Sequence, residues 1–160
     1  MTQQHMLELR RLRLVVGFML AVSAVASAGA ELPELEASRA RWSQAGVTAY
    51  RYGYNKFCEC HREAPPETIV TVAQGRVVSV HHKHADSDRE VPARDGSLDY
   101  YWTVDDLFAL LESGLARGAL VRASFNAELG YPEHVYVDYD PALVGDEVDV
   151  RLTFLQSTGQ

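Results

Sequence analysis

Cys58 and Cys60, the only cysteines of the chain, stand two apart in Cys58-Glu59-Cys60-His61. A thiol pair so close supports three kinds of chemistry. In an oxidising compartment the default is a disulfide. Residues i and i+2 of an extended strand share a face with Cα atoms about 6.5–7 Å apart, the far limit for such a bond. The backbone must contract there, and so small a ring constrains little of the unfolded chain. A Cys58–Cys60 bridge would therefore act locally, pinning the turn before Pro65-Pro66. The second chemistry is metal binding, because two thiolates with His61 beside them could ligate Zn²⁺ or Cu⁺. His82 and His84, in His81-His82-Lys83-His84, would complete a two-sulfur, two-nitrogen set if their strand neighboured the cysteines. The spacing is not that of a zinc finger. The third is thiol–disulfide exchange by a strained bridge, although no Cys-x-x-Cys at a helix start accompanies it.

A second group of chemistry-bearing residues is aromatic. Tyr50, Tyr52 and Tyr54 alternate along one strand face, and Tyr100, Tyr101 and Trp102 follow a loop. Exposed, such rings are binding anchors; buried, they are sheet-face packing. The acidic stretch Asp138, Asp140, Asp146, Glu147, Asp149 fails as a calcium loop. Counted from Asp138, Leu143 stands where an EF-hand needs glycine and Ala142 offers no ligand. No nucleophile elbow, phosphate loop, His-Glu-x-x-His or dinucleotide fingerprint occurs, and no local pattern unites Ser79, Ser124 and His134 with a carboxylate. That lowers the odds of an enzyme without excluding one.

These residues need a scaffold, and the pattern supplies one. Residues 31–45 read as a helix, with Pro33 in the first turn, Leu35 and Trp42 a heptad apart, and Gly46 as the stop. Residues 47–57, 68–73 and 76–84 read as strands, the last two joined by a Gln74-Gly75 hairpin turn. Residues 85–101 read as a polar loop. Thr103 caps a second helix carrying Val104, Leu107, Phe108, Leu111 and Leu115 at helical spacing, with Asp105 and Asp106 in its first turn. Residues 120–125, 134–139 and 147–155 read as three more strands, the last alternating strictly. The expectation is an α+β domain of order αβββ-αβββ, an antiparallel sheet with both helices on one face. The opposite face is then the natural place for a partner.

The beginning of the chain reads as an export signal. Arg10, Arg11 and Arg13 precede an apolar run over residues 14–22, then Ala26-Ser27-Ala28 as a cleavage site, with Ala28-Gly29-Ala30 as a second choice. The apolar run is short of the roughly 20 residues a membrane span needs. The division expected is residues 1–28 as signal peptide and 29–160 as one exported domain, periplasmic or extracellular, with no stable span after cleavage. With 47% hydrophobic and 23% charged residues among 160, the chain has ordinary single-domain composition. Its net charge of −7 excludes the basic footprint that nucleic acid requires. Loss of residues 1–28 removes three arginines and one glutamate, making the remainder more acidic still.

Trp42, Tyr50-Arg51-Tyr52, the cysteine pair, the hairpin over residues 70–80, the helix after Thr103, and Leu129-Gly130-Tyr131-Pro132 with Val137-Asp138-Tyr139 form one set of landmarks. Together they resemble small exported bacterial proteins grouped as domain of unknown function 6174, over nearly all of residues 29–160. Members usually carry an aromatic between the cysteines, where this chain has Glu59. The resemblance implies an exported α+β domain and no activity. The function expected is a non-catalytic binding or interaction module, with no cofactor, acting on a protein or peptide. The alternative is a Zn or Cu site, or a thiol redox centre, at Cys58, Cys60, His61, His82 and His84.

Overall fold

The computed structural model describes residues 32–57, 67–84, 87, 89–93 and 98–159. Helix α1 spans Leu35–Ala45 and strand β1 spans Ala49–Phe57. Strands β2 (Thr68–Ala73), β3 (Arg76–Lys83) and β4 (Glu90–Pro92) follow, then a 3-10 turn at Leu98–Tyr100. Helix α2 (Val104–Ala116) precedes β5 (Leu120–Phe125), β6 (Pro132–Asp138) and β7 (Val148–Ser157). The strands form one antiparallel sheet of order β4-β3-β2-β1-β7-β6-β5.

This corrects the expected αβββ-αβββ order, although the class remains α+β. A fourth strand, β4, lies inside the stretch read as polar loop. Three residues with a proline carry no periodic signal. Glu90–Pro92 is extended because it pairs with the edge of β3, His81↔Pro92, His82↔Val91 and Lys83↔Glu90, where proline is tolerated. The chain is not a tandem of two halves either. The first and last strands, β1 and β7, pair at the middle of one continuous sheet.

Local chemistry explains the elements that were legible. Gln74 and Gly75 both take positive φ, 52° and 70°, the geometry of a two-residue hairpin turn. Thr103 closes a reciprocal capping box: its hydroxyl accepts from Asp106 N–H at 3.2 Å, while Asp106 Oδ2 accepts from Thr103 N–H at 2.9 Å. Helix α1 lacks a side-chain cap and buries only Leu35, Ser38 and Trp42. It is held by packing rather than by propensity.

The core lies between the sheet and both helices. Tyr50, Tyr52 and Tyr54 from β1, Val70 and Val72 from β2, Val135 and Val137 from β6, and Val150 and Leu152 from β7 meet Trp42 of α1 and Leu107, Phe108 and Leu111 of α2. The β5–β6 turn is clamped onto α1 at Gly130, where φ is 81°. A Cβ there would stand 2.3 Å from the Ser38 carbonyl oxygen. Asn126 ties the turn, its carbonyl accepting from Gly130 N–H at 2.9 Å and its side chain from Leu129 N–H at 2.9 Å. Tyr131 then meets Trp42 edge-on at 6.4 Å.

Gly130→Ala combines left-handed strain with a backbone clash, so urea unfolding should show a loss of about 2 kcal/mol or more. A loss under ~0.5 kcal/mol would mean that the turn is not held against α1.

Candidate functional site

The sheet has two unlike faces. Strand alternation sends Tyr50, Tyr52 and Tyr54 toward the helices, where they are 2%, 0% and 4% exposed. Their rings meet in sequence, edge-on for Trp42–Tyr50 at 5.4 Å, Tyr52–Tyr54 at 6.1 Å and Tyr54–Tyr101 at 5.6 Å, and tilted for Tyr50–Tyr52 at 5.8 Å. Two hydroxyls reach the backbone at the start of α2. Val104 N–H donates to Tyr50 Oη at 2.9 Å, and the Tyr52 hydroxyl donates to the Trp102 carbonyl. Burial pushes the Tyr52 phenol well above its ordinary value, and the Tyr50 and Tyr54 phenols likewise.

The helix-free face is polar and aromatic. Cross-strand register places Ser124 of β5 opposite His134 of β6, and His134 opposite Arg151 of β7. His134 Nε2 lies 2.8 Å from Asp149 Oδ1, and Arg151 Nε is 3.8 Å from the same oxygen. The Arg122 guanidinium sits 5.7 Å from the centre of the Tyr136 ring, and that of Arg151 sits 5.1 Å from Phe57. The Tyr136 hydroxyl donates to Asp138 Oδ2 at 3.2 Å. Desolvation, then this hydrogen bond, raises the Tyr136 phenol above its ordinary value. Ser124, His134 and Asp149 are thus neighbours across three strands, yet Ser124 makes no hydrogen bond to the imidazole, the contact a nucleophile–base pair requires.

Beside this face, a bulge on β7 brings Thr153 and Phe154 against Gly53. The Thr153 hydroxyl donates to Glu67 Oε1 across Gly53. A Cβ at Gly53 would lie 2.0 Å from Thr153 Oγ1, so glycine alone lets that hydrogen bond pass. At the far side of the core, Gly75, Arg76 and Val77 meet Leu98, Asp99, Tyr101, Trp102, Thr103 and Asp106 around an open pocket of about 420 Å³. Tyr100, between Asp99 and Tyr101 in the chain, is 73% exposed, and Lys56 Nζ lies 4.6 Å from the Trp102 ring centre.

Cys58, Cys60 and His61 lie outside the described residues. His82 is half-buried, with Nδ1 3.2 Å from Thr68 Oγ1, and His84 is exposed just past β3. Strand β3 does not neighbour β1; β2 lies between them, in the row Tyr54–Thr68–His82. Among the described residues no group of three or more His, Cys, Asp or Glu could hold a metal ion. No helix among them is long and apolar enough to cross a membrane.

A family of unknown function, DUF6174, matches residues 34–157, from the turn before α1 to the end of β7. The chain belongs to this family. No curated protein and no solved structure matches it. The DUF6174 match takes in every helix and strand described above, so the two-faced sheet and its tyrosine row fall wholly within the family's span.

Nothing in the sequence marks the His134–Asp149 pair. The two residues are fifteen apart, and only the β6–β7 register brings them together. The alternation of β7 did place Asp149 and Arg151 on one face, which was half of the signal.

The buried phenols make the fold sensitive to alkali. A phenol whose folded pKa is raised stabilises the fold while neutral. Its contribution is whole below the ordinary tyrosine value of about 10 and is lost as pH rises through the folded value. In an alkaline absorbance titration Tyr50, Tyr52 and Tyr54 should stay silent until the protein unfolds. All eight tyrosines should titrate together near pH ~10 in denaturant. Full ionisation of the native protein near pH ~10, with circular dichroism unchanged, would place the row in solvent.

Proposed function

We propose that the protein is an exported, non-catalytic binding module that recognises a protein or peptide through the helix-free face of its sheet. One observation carries this reading: Arg122, His134, Tyr136, Arg151 and Phe57 form a contiguous patch across β5, β6, β7 and β1. Arginine and aromatic side chains are those that dominate binding energy at protein interfaces. Arg122 and Arg151 are held against rings by their own sheet, which reduces the ordering entropy a partner must overcome. Export is supported by the basic, apolar, small-residue layout of residues 10–28, and a Cys58–Cys60 disulfide follows from the compartment.

Site-specific photo-crosslinking in exporting cells tests the reading. A photoreactive residue at Tyr136 should yield one discrete adduct, lost when Arg122→Ala and Arg151→Ala are combined. The same group at Ala109, exposed on α2, should yield none. Adducts from Ala109 alone, or from neither position, would contradict recognition through this face. Intact mass of the exported protein should show a chain beginning at Gly29 or Glu31 and short by two hydrogens. Full thiol mass with an ion lost on denaturation would replace the disulfide with a metal centre.

A further inference from the structure

The two edges of the sheet are built differently. Strand β4 is three residues long and carries Glu90 and Pro92, both devices that block further pairing. Strand β5 is twice as long, and its one charge is Arg122. Its six residues, Leu-Val-Arg-Ala-Ser-Phe, lack proline, lysine and carboxylate. The bulge in its pairing falls on β6, where Glu133 is the extra residue between His134 and Pro132. Core-side burial is incomplete at β5 as well. Val135 and Val137 of neighbouring β6 are 0% exposed, whereas Val121, Ala123 and Phe125 are only partly buried. On the opposite face of the strand, Leu120 is 40% exposed. Among the described residues, the hydrophobic layer therefore runs out to a strand edge with nothing beyond it.

We propose that this edge pairs with β5 of a second copy of the chain, antiparallel and two-fold symmetric about Ala123. Opposed residues in an antiparallel pair share a sheet face, so the register must set core-side residues against core-side residues. Centring on Ala123 does so, placing Val121 against Phe125 twice on the core side and Arg122 against Ser124 twice on the other. Centring on Arg122 would oppose two guanidinium groups, which destabilises a cross-strand pair. The charge of the strand also permits self-pairing. The chain carries −7 overall, but Arg122 is the only charge in β5, so no carboxylates meet at the seam. Six residues a side bury well under the ~800 Å² per partner of a standard interface, so the pair is reversible and dissociates on dilution. It joins two seven-stranded sheets into one and does not depend on what the helix-free face recognises.

Sedimentation equilibrium of the full exported chain should show a monomer–dimer equilibrium whose weight-average mass rises with concentration. Val121→Lys should hold it monomeric with an unchanged far-ultraviolet dichroism spectrum. Ala123→Cys, facing its own copy across the seam, should give a covalent dimer on mild oxidation. Ser124→Cys, facing Arg122, should not, and neither should the wild-type chain. A monomer at every soluble concentration would overturn the proposal. So would a dimer that survives Val121→Lys and is not trapped through Ala123→Cys, since another surface would then hold it. If Val121→Lys fails to fold, the paired cysteine variants decide alone.

Discussion

The fold depends on one arrangement: a row of phenols on the central strand that also serves as the anchor for α2. Tyr50, Tyr52 and Tyr54 are three of the buried aromatic residues of the core, and aromatic pairs at this spacing add about 0.5–1.5 kcal/mol each beyond area burial. A buried hydroxyl is costly unless it is hydrogen-bonded. Here the Tyr50 and Tyr52 hydroxyls bond to the backbone at Val104 and Trp102. The N-terminus of α2 is therefore fixed twice, by its own capping box and by the strand beneath it. Phenylalanine at Tyr50 or Tyr52 would fill the space and remove those hydrogen bonds, whereas the Tyr54 hydroxyl, buried without a partner, makes none.

That constraint divides the molecule. With both helices committed to the tyrosine side, the opposite side keeps its polar and aromatic residues free of helices. The contacts there are lateral, between residues of adjacent strands: His134 with Asp149, Arg122 with Tyr136, Arg151 with Phe57. They are partly exposed and contribute little to stability. A patch that is ordered and not needed for stability is free to serve recognition, which is the basis of the proposed function. Membership of DUF6174 places the fold in a family.

What could be read from the sequence was what is local. The Thr103 cap, the Gln74-Gly75 turn and the period-two pattern of β7 as far as Leu152 all depend on neighbours within a few residues; beyond Leu152 the bulge against Gly53 breaks the strict alternation expected through Phe154. Strand β4 was not legible, because its three residues become a strand only when the edge of β3 pairs with them. Nor was the pairing of β1 with β7, two segments about a hundred residues apart. The tyrosine alternation announced a common face but not which face the helices would cover. Gly-Tyr-Pro was visible as a turn, while the reason for its glycine lies in the Ser38 carbonyl of a distant helix. The cysteine pair lies outside the described residues.

The division into a sealed aromatic face and an open polar one is tested most directly by tyrosine-specific nitration of the native protein, with sites mapped by mass spectrometry. Tyr100, at 73% exposure, should be modified first and Tyr136 next, while Tyr50, Tyr52 and Tyr54 stay unmodified until denaturant is added. Modification of any of those three at the rate of Tyr100, in protein that is still folded, would contradict the account.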